Sequence, residues 1–160
     1  LDQKVALAAH PDKGIAKRAA ALLAAGGGLP DPDRQKVIDS FAHLTKADGD
    51  PAAGKTVFAQ HCGKCHKHGG EGNTIGPDLT GMAVHPKEEL LIHVLDPSRS
   101  VEGNYRAYTL KTLDGRVITG LLAAETKTTV ELLDAENKKH AVNRDDVDEF
   151  RESAKSLMRS

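Results

Sequence analysis

Cys62-Gly63-Lys64-Cys65-His66 is the stretch of this chain whose residue types and spacing carry the most specific chemistry. It is a C-x-x-C-H run, the pattern of covalent haem attachment. Two thiols three positions apart on one helical turn can each add to one haem vinyl group. The histidine directly after the second thiol is then carried beneath the iron as an axial ligand. The chain has only 2 cysteines, so both belong to this motif and neither is left for a structural disulfide. A bare C-x-x-C also serves as a redox dithiol or as half of a zinc site. His61 and His68 flank the run and could complete a Cys2His2 zinc knot. Zinc sites usually draw a second ligand pair from a distant segment, however, and no second cysteine pair is present. A thioredoxin-like dithiol would follow a strand, whereas Gly54 to Gln60 reads as a helix running into the motif.

Composition fits a chain built around a large apolar cofactor. Its 160 residues can hold one domain, or a small domain with an appendage. Formal net charge is -1, so no nucleic-acid footprint is indicated. There are 3 Phe, 2 Tyr and no Trp. Leu, Val, Ala and Ile must therefore fill the core, and a covalently held macrocycle would supply the bulk that aromatics supply elsewhere. No apolar stretch is long enough to span a bilayer, and none reads as a signal peptide. The first residue is Leu1 and not Met, as expected of a mature protein or a fragment. Thioether attachment of haem generally requires export, so a periplasmic or otherwise exported location is expected.

The elements that must position the motif fall into three stretches. Residues 1–46 read as an alanine-rich N-terminal helical pair. One helix opens near Pro11-Asp12 and carries Ile15, Ala16, Ala19, Ala20, Leu22 and Leu23 on one face. Gly26-Gly27-Gly28 should end it, with a loop over Leu29-Pro30-Asp31-Pro32. The second is expected to be capped by Asp33 and to carry Val37, Ile38, Phe41 and Leu44 on one side. Residues 47–160 hold the haem chemistry. Asp50 reads as an N-cap with Pro51 in the first turn. A glycine-rich loop, Gly69 to Asn73, follows the motif and leads to Gly76-Pro77-Asp78-Leu79. Pro86 should open a helix with Leu90, Leu91, Val94 and Leu95 on its apolar face, stopping at Asp96-Pro97. Within this stretch, residues of about 104–147 read as strands. Tyr105, Tyr108 and Leu110 lie along one of them, and Asp114-Gly115 is a hairpin turn signal. Further strands are expected at Val117 to Leu122, Thr128 to Leu133 and Lys139 to Val142, with a turn at Glu125-Thr126-Lys127. After a turn at Asn143 to Asp146, a short helix through Val147 and Phe150 is expected. The fold class read from this pattern is mainly α: a helical haem domain with an inserted small antiparallel β module and an N-terminal helical pair.

Together, Gly54-x-x-x-Phe58, the run Cys62 to His66 and Gly76-Pro77-Asp78-Leu79-Thr80-Gly81 resemble a class I cytochrome c. A longer pattern adds Leu95-Asp96-Pro97-Ser98, Tyr105, Asp114-Gly115, Gly120 and Ser156-Leu157-Met158. That order resembles the C-terminal haem domain of large secreted dehydrogenase-like proteins of planctomycetes and verrucomicrobia, over residues 47–158. The resemblance implies one haem c held by Cys62 and Cys65, with His66 as the proximal iron ligand. It also implies that the Pro77 carbonyl faces the other nitrogen of His66, and that Phe58 and Leu79 pack against the macrocycle.

The sixth ligand is open between several groups. The chain has 2 methionines. Met82 closely follows the segment that should wrap the proximal side. In cytochromes of this type, a helix ending near Asn/Asp-Pro leads shortly to the ligand methionine. Asp96-Pro97 is that landmark here, and removing the β insert would bring Met158 to the ligand's place. His85, His93 and an open site are the alternatives. The family pattern has Met-Pro and a following terminal helix, whereas this chain has Met158-Arg159; Arg159-Ser160 is expected to be a cloning remnant. The function implied is electron transfer without catalysis, with electrons accepted from a fused or partner dehydrogenase. The competing readings are a haem-based sensor or binding module for a diatomic gas, and a zinc-stabilised interaction domain.

Overall fold

The computed structural model describes residues 2–26 and 31–158. Gly27 and Gly28 of the expected helix end, Leu29 and Pro30 of the expected loop, and the Arg159-Ser160 ending lie outside the described residues.

Three α-helices precede the motif region where a pair was expected: α1 (Asp2–Ala8), α2 (Lys13–Gly26) and α3 (Pro32–Phe41). The Asp12 carboxylate accepts from the amides of Gly14 and Ile15 and so starts α2. Helix α3 is capped by Asp31 and not by Asp33, its carboxylate accepting from the amides of Asp33 and Arg34. The reason is Pro32, which lacks an N–H and suits the first helical position. The same amides hold the Asp31 carboxyl below the usual carboxylate range. A 3-10 turn, Ala42–Lys46, follows directly. Helix α3 and this turn pack on α5 (Lys87–Leu95), with Ile38 as the buried residue of α3.

Between them, α4 (Pro51–Val57) is capped by Asp50, which accepts from the amides of Ala52 and Ala53. It does not reach the cysteines as a regular α-helix. A π turn at Phe58–Cys62 carries the chain on, closed by the Gly63 amide bonding to the Phe58 carbonyl at 2.8 Å. A minute hairpin follows, β1 (Lys67–His68) with β2 (Glu71–Gly72).

Beyond Pro97 the chain becomes a five-stranded antiparallel sheet: β3 (Ala107–Thr112), β4 (Val117–Glu125), β5 (Thr129–Leu133), β6 (Lys139–Asn143) and β7 (Val147–Glu152). Its order is β6-β5-β4-β3-β7. Helix makes up 41% of the structure and strand 24%, which overturns the expectation of a mainly α chain. The sheet is no minor insert, because it holds a buried hydrophobic cluster of its own. Leu110, Val130, Leu132 and Val142 are buried together, and Tyr108, Ile118, Leu122, Val147 and Phe150 pack against them.

The expected short helix through Val147 and Phe150 is the strand β7. Leu110 pairs with Phe150 and Thr112 with Val147, with a register shift between Lys111 and Thr112. The shift leaves Asp148 as one extra residue, a β-bulge. Val147 and Phe150 thereby face the same side, and a three-residue apolar spacing that reads as helical is produced by a strand. The Phe150 ring stacks on Tyr108 with centroids 5.1 Å apart.

Because β3 and β7 are neighbours, the sheet returns the chain to where it left the helical region. The Ser153 amide bonds to the Ala107 carbonyl at 2.8 Å.

Candidate functional site

The C-x-x-C-H run sits where the π turn ends. The amides of Cys65 and His66 both bond to the Cys62 carbonyl, at 3.0 and 2.9 Å. Both thiols are free and half-buried.

The chain then turns back over this knot. The Gly76 amide bonds to the Cys65 carbonyl at 2.7 Å, and the Leu79 amide to the Lys67 carbonyl at 2.7 Å. Asn73 donates its backbone and side-chain N–H groups to the Gly63 carbonyl. These bonds bring Pro77 to the edge of the His66 ring, with the Pro77 carbonyl 2.9 Å from His66 Nδ1. A carbonyl only accepts, so Nδ1 carries the proton and donates. The lone pair of the neutral imidazole is thereby directed to Nε2, and the ring is fixed in orientation.

Two glycines make this approach possible. A β-carbon on Gly76 would lie 2.6 Å from His66 Cε1 and 2.8 Å from Nδ1. One on Gly72 would lie 2.1 Å from the His66 carbonyl oxygen, and Gly72 also has φ +102°. Sequence reasoning passed over both as members of glycine-containing loops. Their signal is spacing: each falls within ten residues of His66, in a segment that must fold back on it.

Asp78 and Thr80 are the other residues it missed. The Thr80 hydroxyl and amide both donate to the Asp78 carboxylate, and Thr80 Oγ1 accepts from the Gly69 amide at 3.0 Å. The hydroxyl hydrogen bond, then the amide one, hold the Asp78 carboxyl below its ordinary range. The clasp ties the Gly76-to-Thr80 segment to the hairpin after His66.

The remaining expected residues are placed as follows. Phe58 is half-buried, its ring centroid 5.7 Å from that of His68 at an angle of 56°. It lines an open groove of about 560 Å³ with Gly54, Lys55 and the hairpin. Leu79 is half-buried beside the motif. Met82 is half-buried at the start of a 3-10 turn, Met82–Val84. His85 and His93 both turn to Glu89, at 3.3 and 3.6 Å. The His85 hydrogen bond is the main cause of a lowered Glu89 carboxyl pKa. Among the described residues, no three His, Cys, Asp or Glu side chains converge as a metal-ligand set, so His61 and His68 do not form a zinc knot with the two thiols.

Met158 is 37% exposed. Its amide bonds to Ser156 Oγ at 3.1 Å, and the Ser156 amide bonds to Ser98 Oγ at 3.1 Å. The Ser156-Leu157-Met158 segment is thus tethered directly behind Asp96-Pro97.

The donor set suits a covalently held haem. Two free thiols and one imidazole with Nε2 available stand on a single rigid turn. Among the described residues before position 100, only Ile38 and Ile75 are buried apolar side chains. Leu79 beside the motif, and Leu90, Leu91, Ile92 and Leu95 of α5, are half-buried and leave apolar surface that a large apolar group could cover.

No curated protein matches the chain. Residues 51–117 match the family described as Cytochrome c, from the Pro51 that opens α4 through the motif, α5 and β3 to the first residue of β4. That match supports a cytochrome c-like haem-binding domain, and the C-x-x-C-H run with its His66–Pro77 hydrogen bond lies inside the matched stretch.

Proposed function

We propose that the chain carries single electrons through one haem c, bound by thioethers to Cys62 and Cys65, with His66 as proximal ligand and Met158 as sixth ligand. Haem-based electron transfer in general follows from the cytochrome c match. One-electron exchange between ferric and ferrous iron is the chemistry the bound haem supplies.

The observation that carries the reading is the 2.9 Å hydrogen bond from His66 Nδ1 to the Pro77 carbonyl. It sets the tautomer that offers Nε2 to a metal, and second-shell partners of this kind raise ligand basicity. Cys62 and Cys65 fix the macrocycle in place. The half-buried leucines of α5 and Leu79 exclude water from it, and a low dielectric tunes the potential. Phe58 packs between α4 and the hairpin and stiffens the support of the motif.

Met158 is supported by the path of the chain. The sheet leaves and returns at one place, through the β3–β7 pairing. Ser156 is then bonded to Ser98, beside the Asp96-Pro97 turn at the end of α5. Methionine ligation favours a higher potential than two histidines would. The longer motif order resembles the haem domains of large secreted planctomycete and verrucomicrobial proteins. The proposed donor is accordingly a dehydrogenase, fused or separate, and the proposed compartment is the periplasm or another exported space. The proposed division is an N-terminal helical appendage (1–46) and a haem domain (47–160) holding the sheet as a β insert, expected at about 104–147 and extended to Glu152 by β7.

The test is a set of spectra of the haem-loaded protein. Acid-acetone extraction should leave the haem on the polypeptide. The ferric protein should show the weak near-infrared sulfur-to-iron band. Met158→Ala should abolish that band, lower the potential and admit carbon monoxide, while Met82→Ala leaves all three unchanged. The reverse pattern assigns the ligand to Met82. Indifference to both assigns a histidine or an open site, and the open site is the gas-binding reading.

A further inference from the structure

The proposed ligand methionine lies on an arm with few anchors of its own, and the anchors it has lead to a buried polar node. Asp96 and Arg99 are 6% and 4% exposed, yet each carries charge. Arg99 Nε donates to Asp96 Oδ2 at 2.9 Å, and Arg99 Nη2 donates to Gln35 Oε1 at 2.7 Å. The Arg99 amide also bonds to the Asp96 carbonyl at 3.0 Å. The turn Asp96-Pro97-Ser98-Arg99 is thereby locked at both ends, and it is locked to α3. Burying two charges is costly in desolvation, and here the pair's hydrogen bonds fix the geometry of the turn.

What it holds is Ser98. The Ser98 hydroxyl sits in the middle of the locked turn and accepts from the Ser156 amide at 3.1 Å. Ser156 Oγ accepts in turn from the Met158 amide at 3.1 Å. Both bonds run from the backbone of the arm to a serine hydroxyl, so they set where the backbone lies and leave the Met158 thioether free. On the other side, the Arg106–Glu152 ion pair at 2.6 Å and the Ser153–Ala107 bond close the neck of the sheet. A polar crevice of about 30 Å³ lies between neck and turn, lined by Ser98, Arg106 and Glu152 among others. That is room for one water molecule.

We propose that Ser98, presented by the buried Asp96–Arg99 pair, is a positioning residue that holds the Ser156–Met158 arm against the end of α5 and so keeps the thioether available to the iron. The proposal rests on the reading of Met158 as sixth ligand. It makes ligation depend on a serine with no contact to iron and, through Gln35, on helix α3. The Ser98 latch and the Met158 thioether thus share one equilibrium, arm latched against arm released.

The experiment uses the full haem-loaded chain as Ser98→Ala, Ser98→Thr and Met158→Ala. Three readouts are taken: the near-infrared band of the ferric form, the midpoint potential, and the rate at which carbon monoxide binds the ferrous form. Losing one hydrogen bond should raise the released population about two- to tenfold. Carbon monoxide should therefore bind Ser98→Ala about two- to tenfold faster, with a weakened band and a lowered potential, and Ser98→Thr should restore all three. If Ser98→Ala matches the parent while Met158→Ala changes every readout, the latch is overturned and the ligand reading stands. If Met158→Ala itself changes nothing, the ligand reading fails and takes the latch with it. Amide hydrogen exchange on the loaded parent gives a check that needs no variant. A Ser156 amide exchanging as fast as an unstructured one would overturn the latch.

Discussion

Gly76→Ala is the sharpest probe of the geometry at His66. The backbone at Gly76 is outside the left-handed region, so alanine is admissible there as far as φ is concerned, and the cost comes from contact alone. The new β-carbon would sit 2.6 Å from His66 Cε1, 2.8 Å from Nδ1 and 3.1 Å from Nε2. Ordinary carbon contacts begin near 3.5 Å, so the ring or the loop must yield by roughly 1 Å. Either movement is resisted. The ring is tied to the Pro77 carbonyl at 2.9 Å, and Gly76 itself to the Cys65 carbonyl at 2.7 Å. Overpacking costs about 1–3 kcal/mol, and a lost hydrogen bond adds about 0.5–1.5 kcal/mol. Together they predict a loss of about 2–4 kcal/mol. For a chain of this length that lowers the melting temperature by roughly 4–16 °C. Gly81→Ala is the matched control, since nothing lies within 4 Å of its added β-carbon. It should stay within about 0.5 kcal/mol of the parent. The assay is urea and thermal denaturation of the haem-loaded proteins, with the Soret band followed to report on the His66 environment. If Gly76→Ala unfolds with Gly81→Ala and keeps the parent spectrum, the close packing of Gly76 on His66 is refuted.

Arg99→Ala leaves the buried Asp96 carboxylate without its partner and should cost about 3–5 kcal/mol in urea unfolding; a loss below about 1 kcal/mol would mean that Asp96 reaches water. Leu110→Ala, at a side chain with no exposure, should cost about 2–5 kcal/mol by the same measurement. A near-neutral result would contradict a sheet-centred core. The Asp134 carboxyl is held below its usual range first by the His140 hydrogen bond and then by the Lys138 amide. Its unfolded value is about 3.9, so its stabilisation is fully present above that pH and is lost as pH falls through the lower folded value. Asp134→Asn should flatten the stability curve in that acid window, and unchanged steepness there would remove Asp134 as the cause.

What the sequence by itself determined is the local chemistry. The haem-attachment reading of Cys62, Cys65 and His66 rests on spacing, because two thioethers and an axial imidazole would have to come from adjacent turns of one segment. Asp50-Pro51, Pro86 and Asp96-Pro97 likewise bound their helices by rules that act within a few residues. Contacts between distant segments were decided only in three dimensions. Nothing local in Gly76 says that a β-carbon there would strike His66, since that depends on how the nine intervening residues fold back. The strand β7 was misread because its bulge imitates a helical spacing, and bulges arise from pairing with another strand. The weight of the sheet was misjudged for the same reason. Alternation marks strands one at a time, but a core is made only when Leu110, Val130, Leu132 and Val142 meet across three of them. Ser98 is the extreme case: an ordinary serine in sequence, it acquires a partner 58 positions away because β3 and β7 close the sheet into a loop that returns the chain to its side.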